Sequence, residues 1–426
     1  MNKNELIKNC ILLNCIVYYD MLMPRDDRTL GEIIRLSQHT AKWQDMMLHS
    51  PVAMTGDKPI AVINEILGNE YLSGLVLKSY TVGRELESLK HVNKNNLASG
   101  GPIAICLKSQ STKEVIFVYR GTARYEWLDN ADAFLKEAST LQLHALDFFN
   151  ETILKNGYDK DYTIYVTGHS KGGNKAQFVT IASPYLVTEC INFDGQGFSK
   201  QFCEKYADEI KAKASIITTI AAHSDYVSPL GNSIASSSIY YKTNQDGTDF
   251  KAKTPSGQAL NILSHSGGLG ALFNFLDAHS PGAVFHVEGL ITSLNDKVAK
   301  PCLVSRHLSQ LSSYIMNSCT NTDKKDCFYT IMSILSYTMN DADTSMVISD
   351  EEAIFSFDDV MRGLDVFISS ARKMGFHFIA LAVSLLKKLL AAAKGAASNA
   401  KSPVKYVETP ANIPSKVYQQ GLILRK

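Results

Sequence analysis

The chain has 426 residues, 45% of them hydrophobic and 20% charged, which is ordinary for a globular protein. This length suffices for one large α/β domain with an accessory part. The formal net charge of +1 disfavours nucleic acid as a partner, because no overall field attracts phosphate. The eight cysteines form no C-x-x-C pair, so no zinc site is predicted, and neither a metal nor a cofactor is expected.

We expect residues 1–95 to form a mainly helical segment packed on the core, because apolar residues recur at helical spacing at 30–36 and 60–75. The apolar run 11–17 resembles the centre of a signal peptide, but Asn14 interrupts it and no small-residue cleavage site follows. We interpret it as a helix of the fold. The expected location is the cytoplasm or the periphery of a membrane, and export without a cleavable signal peptide stays open.

Strands and helices alternate in residues 96–295, which we assign as the core. The β-rich runs 102–107 and 115–119 flank a polar turn and predict a hairpin, followed by one helix over about 131–154. Further on, the predicted elements are strand 163–167, a helix from Asn174, strand 190–193, helix 202–212 and strand 215–221. This alternation predicts an α/β fold with a mostly parallel sheet flanked by helices, and catalytic groups at the carboxyl ends of its strands.

The most informative segment is Gly168-x-Ser170-x-Gly172, which follows a β-rich run and precedes a helix-compatible one. A serine in this context sits on a sharp strand-to-helix turn, and the flanking glycines permit close backbone approach. The turn exposes the Ser170 hydroxyl and aims a helix N-terminus at it. The pattern therefore predicts a nucleophilic serine on an α/β-hydrolase fold.

A serine nucleophile needs a base, and the base needs a carboxylate that orients it. In α/β-hydrolases the chain order is serine, acid, histidine. Asp225 follows the predicted strand 215–221 directly and is the preferred acid. Asp194 is the alternative; it lies one strand–helix unit after the serine, which places it close to the nucleophile strand, and it is also typical of a turn before glycines.

The base is expected after residue 225. His279 precedes a β-like stretch at 283–287 and is the preferred candidate, with His265 in a glycine-rich loop as the alternative. His286 lies among apolar residues and is interpreted as structural. The oxyanion hole requires two donors. We assign these to the amide of Lys171 and to Thr122, which follows the predicted strand 115–119.

The remainder of the chain is predicted to be helical at 303–318, 325–340 and 357–373, so residues 296–373 are assigned as a helical extension or cap. Residues 374–426 are assigned as a basic amphipathic helix followed by a flexible tail from 395. The apolar face of 374–393 suggests contact with a membrane surface; a helix packed on the domain is the alternative.

Several segments resemble known lipases. Residues 119–122 (Y-R-G-T) are similar to the F-R-G-T segment of class 3 (fungal-type) lipases, and 168–173 (G-H-S-K-G-G) to their G-H-S-x-G-G turn. The chain more closely resembles a bacterial lipase-like family long catalogued as a domain of unknown function. That family's F-D-G-P-G-F segment reads F-D-G-Q-G-F at 193–198, where Gln196 replaces proline. Its late histidine–proline segment corresponds to His279-Ser280-Pro281.

This resemblance covers roughly residues 10–345 and implies serine-dependent hydrolysis of acyl esters, with His279 as the base. We therefore expect a lipase-like enzyme acting on a small-molecule or lipid ester by a Ser170–His279–Asp225 triad. Two alternatives stay open. One is other acyl chemistry on the same triad, as in a thioesterase, peptidase or acyltransferase, and the other is a non-catalytic binding module on a hydrolase scaffold.

Overall fold

The computed structural model describes residues 1–19, 27–40, 43, 58–81, 103–122, 126–223, 225–241, 297–298, 300–338 and 357–399. Its strands are β1 Val76–Thr81, β2 Ala104–Lys108, β3 Glu114–Tyr119, β4 Thr163–His169, β5 Glu189–Phe193, β6 Ile217–Ala222, β7 Ser237–Tyr241 and β8 Lys297–Val298. Its helices are α1 Lys3–Ile16, α2 Leu30–Ser37, α3 Lys58–Gly68, α4 Glu70–Ser73, α5 Trp127–Leu135, α6 Thr140–Asn156, α7 Lys171–Ala182, α8 Lys200–Lys205, α9 Ala207–Lys213, α10 Leu303–Ser318, α11 Asn321–Thr338, α12 Phe357–Lys373 and α13 His377–Asn399.

Within the described residues, the eight strands form one mixed sheet whose spatial order is the chain order, β1 to β8. Strands β3 to β7 are parallel, whereas β1, β2 and β8 pair antiparallel with their neighbours. The predicted hairpin is present as β2 and β3, with Ala104 opposite Tyr119. The fold is therefore α/β, with a mixed sheet flanked by helices.

The helices that connect the parallel strands lie on one face of the sheet. Crossovers between parallel strands are right-handed, so strands that follow one another in spatial order place their connecting helices on the same side. Phe149 of α6 and Phe178 of α7 accordingly pack with Val115 and Phe117 of β3 in one buried cluster. The connecting segments therefore cover only half of the sheet.

The N-terminal helices cover the other face. Leu13 and Ile16 of α1 are fully buried in a cluster with Ile116 of β3 and Ile191 of β5. The Asn14 side chain donates a 2.8 Å hydrogen bond to Thr167 Oγ1 of β4, so this helix is fixed to the central strand. The segment before the first sheet strand thus supplies half of the core.

Two details of local structure differ from the predictions. The described part of residues 1–95 is mainly helical, as expected, but Val76–Thr81 is strand β1, which was not predicted and pairs with β2 at the edge of the sheet. The single helix expected over 131–154 is two helices, α5 and α6. The break occurs because Ser139 caps α6: its hydroxyl accepts from the Gln142 amide, and the Gln142 side chain accepts from the Ser139 amide.

The C-terminal helices α10 to α13 form a cluster with α5, in which Phe134 stacks on Phe328 with ring centroids 4.8 Å apart. The predicted helices 303–318 and 357–373 are present, and 325–340 is α11. The flexible tail was expected from residue 395, but α13 continues to Asn399. None of the helices in the described ranges combines the length and hydropathy needed to cross a bilayer.

Candidate active site

Ser170 lies between the last residue of β4 and the first of α7. Its φ of 57° and ψ of −124° form a positive-φ backbone conformation that residues other than glycine rarely adopt, at a cost of about 1–3 kcal/mol. Two backbone hydrogen bonds hold this conformation: the Ser170 amide donates to Phe193 O at 2.9 Å, and the Asn174 amide donates to Ser170 O at 3.1 Å. The serine is therefore held at a strained turn between a strand and a helix.

The two glycines of the turn are required by backbone contact. A Cβ on Gly168 would lie 2.1 Å from the Gly172 carbonyl, and a Cβ on Gly172 would lie 2.0 Å from Tyr119 O. The start of α7 is thus pressed directly against β3 and β4. This contact directs the helix N-terminus, with its unsatisfied amides and partial positive charge, at the serine.

The Lys171 side chain turns away from the serine into the protein and is fully buried. Its Nζ lies 2.7 Å from Asp129 Oδ2 and donates to Asp129 O and Ser139 Oγ, each at 3.1 Å. Burial opposes ionisation of Asp129, but the charge and hydrogen bond of Lys171 outweigh it and lower the pKa of this carboxyl. The Lys171 side chain thus fixes α5 to the turn. The group that Lys171 presents beside Ser170 is its backbone amide.

Thr122 follows the carboxyl end of β3, beside the β4 strand that leads to Ser170, and is half-buried. Its hydroxyl accepts a 2.8 Å hydrogen bond from Asn130 Nδ2, and Asn130 O accepts one from Gln196 Nε2 at 3.1 Å. Gln196 stands where the lipase-like family that the sequence resembles has proline, and its buried amide joins the segment after β5 to α5. The sequence showed this departure but not its hydrogen bond.

Asp225 lies just after β6, two strands from β4, and is 1% exposed. Its Oδ1 accepts from the Val227 amide at 3.2 Å and its Oδ2 from the Ser228 amide at 2.6 Å. Hydrogen bonds from backbone amides favour the ionised form of a carboxyl group. The hydroxyl of Ser305, at the start of α10, also donates to Asp225 O and anchors this loop.

Asp194 follows β5 with a φ of 48° and is completely buried. Its Oδ1 accepts from the Ala222 amide at 2.8 Å, which joins the ends of β5 and β6. Among the described residues, its Oδ2 has no hydrogen-bond partner and lies 4.0 Å from His169 Nε2. Burial and then the charge of Asp225 raise the pKa of Asp194 well above its ordinary value, which favours its neutral form.

The two histidines predicted as base, His279 and His265, lie outside the described residues, as does the stretch 283–287. His169, directly before Ser170, is described and buried. Its Nδ1 lies 3.2 Å from the Tyr18 hydroxyl, which accepts from the Gly121 amide at 3.1 Å. Tyr18 therefore connects the N-terminal helices to the residues around Ser170, a contact across 151 residues that no sequence motif indicated.

A charge cluster lies behind the turn: Arg120, Glu126, Asp129, Lys171 and Lys175. Arg120 Nη2 is 2.5 Å from Glu126 Oε1 in a buried ion pair. Within the described part of the chain, Lys175 Nζ is fully buried without a hydrogen-bond acceptor. Burial, aided by the charges of Arg120 and Lys171, lowers its pKa to about 8. Sequence reasoning missed this cluster because lysines on a helix are usually solvated.

Ser170, Lys171, Thr122, Asp194 and Asp225 all lie at the carboxyl ends of strands β3 to β6.

The described residues contain no group of three or more His, Cys, Asp or Glu side chains suited to a metal ion. A cavity of about 540 Å³ lies at the amino-terminal end of β3, beside the turn between β2 and β3, and is lined in part by Lys78, Lys108 and Tyr162. This cavity is separate from the candidate site.

The model of the Mbeg1-like family matches residues 84–228 of this chain. The matched segment begins before β2 and ends just after Asp225, so it includes Ser170, Lys171, Thr122 and both carboxyl groups. The N-terminal helices and α10 to α13 lie outside it. No curated protein matches the chain.

Proposed function

We propose that this protein is a serine hydrolase of the α/β-hydrolase fold that cleaves carboxylic esters of the lipid or acylglycerol type. The observation that carries the proposal is the conformation of Ser170: its backbone is strained, and the N-terminus of α7 points at it. Proteins tolerate such strain where it exposes a reactive group. The matched family is of the lipase-like type, which supports the same reaction class.

In this proposal the Ser170 hydroxyl attacks the ester carbonyl and forms a tetrahedral intermediate. His279 takes the serine proton and gives it to the leaving alcohol as the intermediate collapses, so that the acyl group stays bound to Ser170 as an ester. Water then attacks this ester with His279 as base, and the proton returns to Ser170 as the carboxylic acid leaves. The amides of Lys171 and Thr122 stabilise the oxyanion. His279 is chosen from chain order and from the resemblance of its segment, with His265 as the alternative base.

Asp225 is the proposed acid because it meets two requirements that Asp194 does not. An orienting carboxylate must be charged in order to stabilise the imidazolium that forms during catalysis. Two backbone amides favour the ionised form of Asp225, whereas burial and the charge of Asp225 raise the pKa of Asp194 and favour its neutral form. Asp225 also follows β6 rather than the immediate neighbour of β4, which leaves space for a histidine between acid and serine.

Labelling with a fluorophosphonate probe tests this proposal, since such probes react with a serine activated by a neighbouring base. We expect the wild-type protein to be labelled, and Ser170→Ala and His279→Ala to lose labelling by at least about 10³-fold. His307→Ala is the matched control, because His307 stacks on Phe376 in the C-terminal cluster, outside the candidate site. His265→Ala separates the two candidate bases.

Absence of labelling in folded wild-type protein, with and without detergent, would contradict the proposal and favour a binding module. If labelling occurs, side-by-side turnover of ester, thioester and amide substrates of one acyl chain separates ester hydrolysis from the other acyl chemistries. We expect the ester to be cleaved with the highest kcat/KM.

A further inference from the structure

The charge of the chain is distributed unevenly along its length. Residues 377–426 contain eight Lys and Arg residues and one Glu, whereas residues 1–376 contain 35 Lys and Arg and 41 Asp and Glu. The near-neutral total therefore conceals a basic C-terminal segment on an acidic remainder. Such asymmetry is typical of a segment that meets an anionic partner.

Helix α13, which begins this segment, packs through one side only. Ile379 and Ala380 are buried against the C-terminal cluster. Lys387 forms an ion pair with Asp365, and Lys394 Nζ lies 3.7 Å from Asp358 Oδ1, so these two lysines are neutralised by α12. The packed side of α13 is thus accounted for within the protein.

The opposite side of α13 is apolar and exposed. Phe378, Leu381 and Leu389 are 38%, 48% and 65% exposed, and Lys388 is exposed beside them. Their spacing of three, seven and one residues places them on one face of the helix. The sequence of α13 contains no Asp or Glu. We call Phe378, Leu381, Lys388 and Leu389 the α13 face.

We propose that the α13 face binds to the surface of a membrane that contains anionic lipid. A helix that lies in the plane of a bilayer combines exposed bulky apolar side chains with lysines and few acids, as this one does. The apolar side chains insert at the headgroup boundary, and Lys388 lies at the level of the phosphates. The acidic remainder of the chain is repelled from the same surface, so the interaction is confined to this end.

Self-association through the α13 face is disfavoured by its charge. In a two-fold symmetric dimer a surface patch meets its own copy, which would enclose Lys388 of both copies in an interface where neither α13 helix supplies an acid to pair with it. An anionic lipid surface supplies the opposite charge instead. The inference is independent of the hydrolase proposal, because it concerns binding and not turnover.

The experiment is co-sedimentation of the full chain with vesicles of phosphatidylcholine alone or mixed with phosphatidylserine. We expect binding to the mixed vesicles that weakens as salt is raised. A basic residue near an anionic surface contributes about fivefold in affinity, so Lys388→Glu should weaken binding by roughly 25-fold. Replacing Leu381 and Leu389 by Glu should weaken it by more than about tenfold. Leu186→Glu, at a 77% exposed leucine between α7 and β5, is the matched control and should bind as the wild type does.

Lack of wild-type binding to either vesicle, or unchanged binding by Lys388→Glu, would overturn the proposal. So would a wild-type dimer in gel filtration that Leu389→Glu converts to monomer, since the α13 face would then be an interface between copies. Lys388→Gln removes one exposed charge without a new one and keeps the test valid if the leucine variants do not fold. Ser170→Ala should bind vesicles normally, which separates this outcome from failure of the hydrolase proposal.

Discussion

Two buried regions flank the start of α7, and each contains two titratable side chains of the same type. Beside Ser170, at the carboxyl ends of the strands, these are Asp194 and Asp225. In the charge cluster they are Lys171 and Lys175. In both regions one member has partners: Asp225 accepts from two amides, and Lys171 is paired with Asp129. The other member has an atom without a hydrogen-bond partner among the described residues, at Asp194 Oδ2 and Lys175 Nζ.

In both regions burial disfavours the charged form of one side chain, but the consequence differs between them. Burial disfavours charge of either sign, so the pKa of Asp194 rises and that of Lys175 falls. Beside Ser170, the raised pKa of Asp194 makes Asp225 the better candidate for the charged carboxyl that the proposed mechanism needs. In the charge cluster, the proposed mechanism does not use the charge of Lys175, so the burial of this amine lowers the free energy of unfolding without a role in the reaction.

The largest expected effect separates the two carboxyl groups. Asp225→Asn should reduce kcat on a soluble ester by about 10³–10⁴-fold, because the base loses the charge that orients it. Asp194→Asn should stay within about threefold of wild type with an unchanged pH profile, because an amide resembles the neutral acid in shape and charge. A loss in Asp194→Asn as large as that in Asp225→Asn would reverse the two assignments.

Lys171 should be the next most sensitive residue. Lys171→Met removes the partner of Asp129 and leaves a buried carboxylate uncompensated, so the free energy of unfolding should fall by about 3–5 kcal/mol. Urea denaturation measures this change. The double variant Lys171→Met with Asp129→Asn should regain part of the loss, and equal stability of the single and double variants would contradict the ion-pair interpretation.

The smallest effect is expected at Lys175, and it has the opposite sign. In the folded protein its amine loses its proton near pH 8, whereas an exposed lysine keeps it up to pH 10.5. The cost of burying the charge is therefore full below pH 8 and declines as the pH rises from 8 to 10.5. Lys175→Met should unfold with a free energy about 2–3 kcal/mol higher than wild type at pH 7.

The measurement is the difference in unfolding free energy between wild type and Lys175→Met from pH 7 to pH 10. Taking the difference cancels the titration of the buried thiols and phenols, which both proteins share. We expect the gap to narrow above pH 8. A constant gap, or a less stable Lys175→Met protein, would show that the amine has a charged role in the cluster.

The features predicted from sequence are those that local patterns encode. The strand, turn and helix around Ser170 follow from two glycines and a β-rich run, and the β2–β3 hairpin from its polar turn. Strand β1 was missed because only its first two residues are buried and its pairing with β2 is a tertiary contact. The break before α6 depended on the Ser139 cap, which was overlooked within a long helical pattern.

The candidate site divides in the same way. Asp225 was selected from chain order, but the raised pKa of Asp194 depends on burial and on the two carboxyl groups being neighbours in space. Tyr18 and Lys175 carried no signal, since their contacts join segments distant in sequence or depend on complete desolvation. The position of His279 stays a prediction.

The contact between Asn14 and Thr167, 153 residues apart, has a consequence for biosynthesis. Ribosomes add about 5–20 residues per second, so α1 emerges roughly 8–30 seconds before the strand that it will cover. During that interval the side of α1 that carries Leu13 and Ile16 has no sheet to pack against. Nascent chains of this protein should therefore engage a chaperone through α1, and release should follow the synthesis of β4.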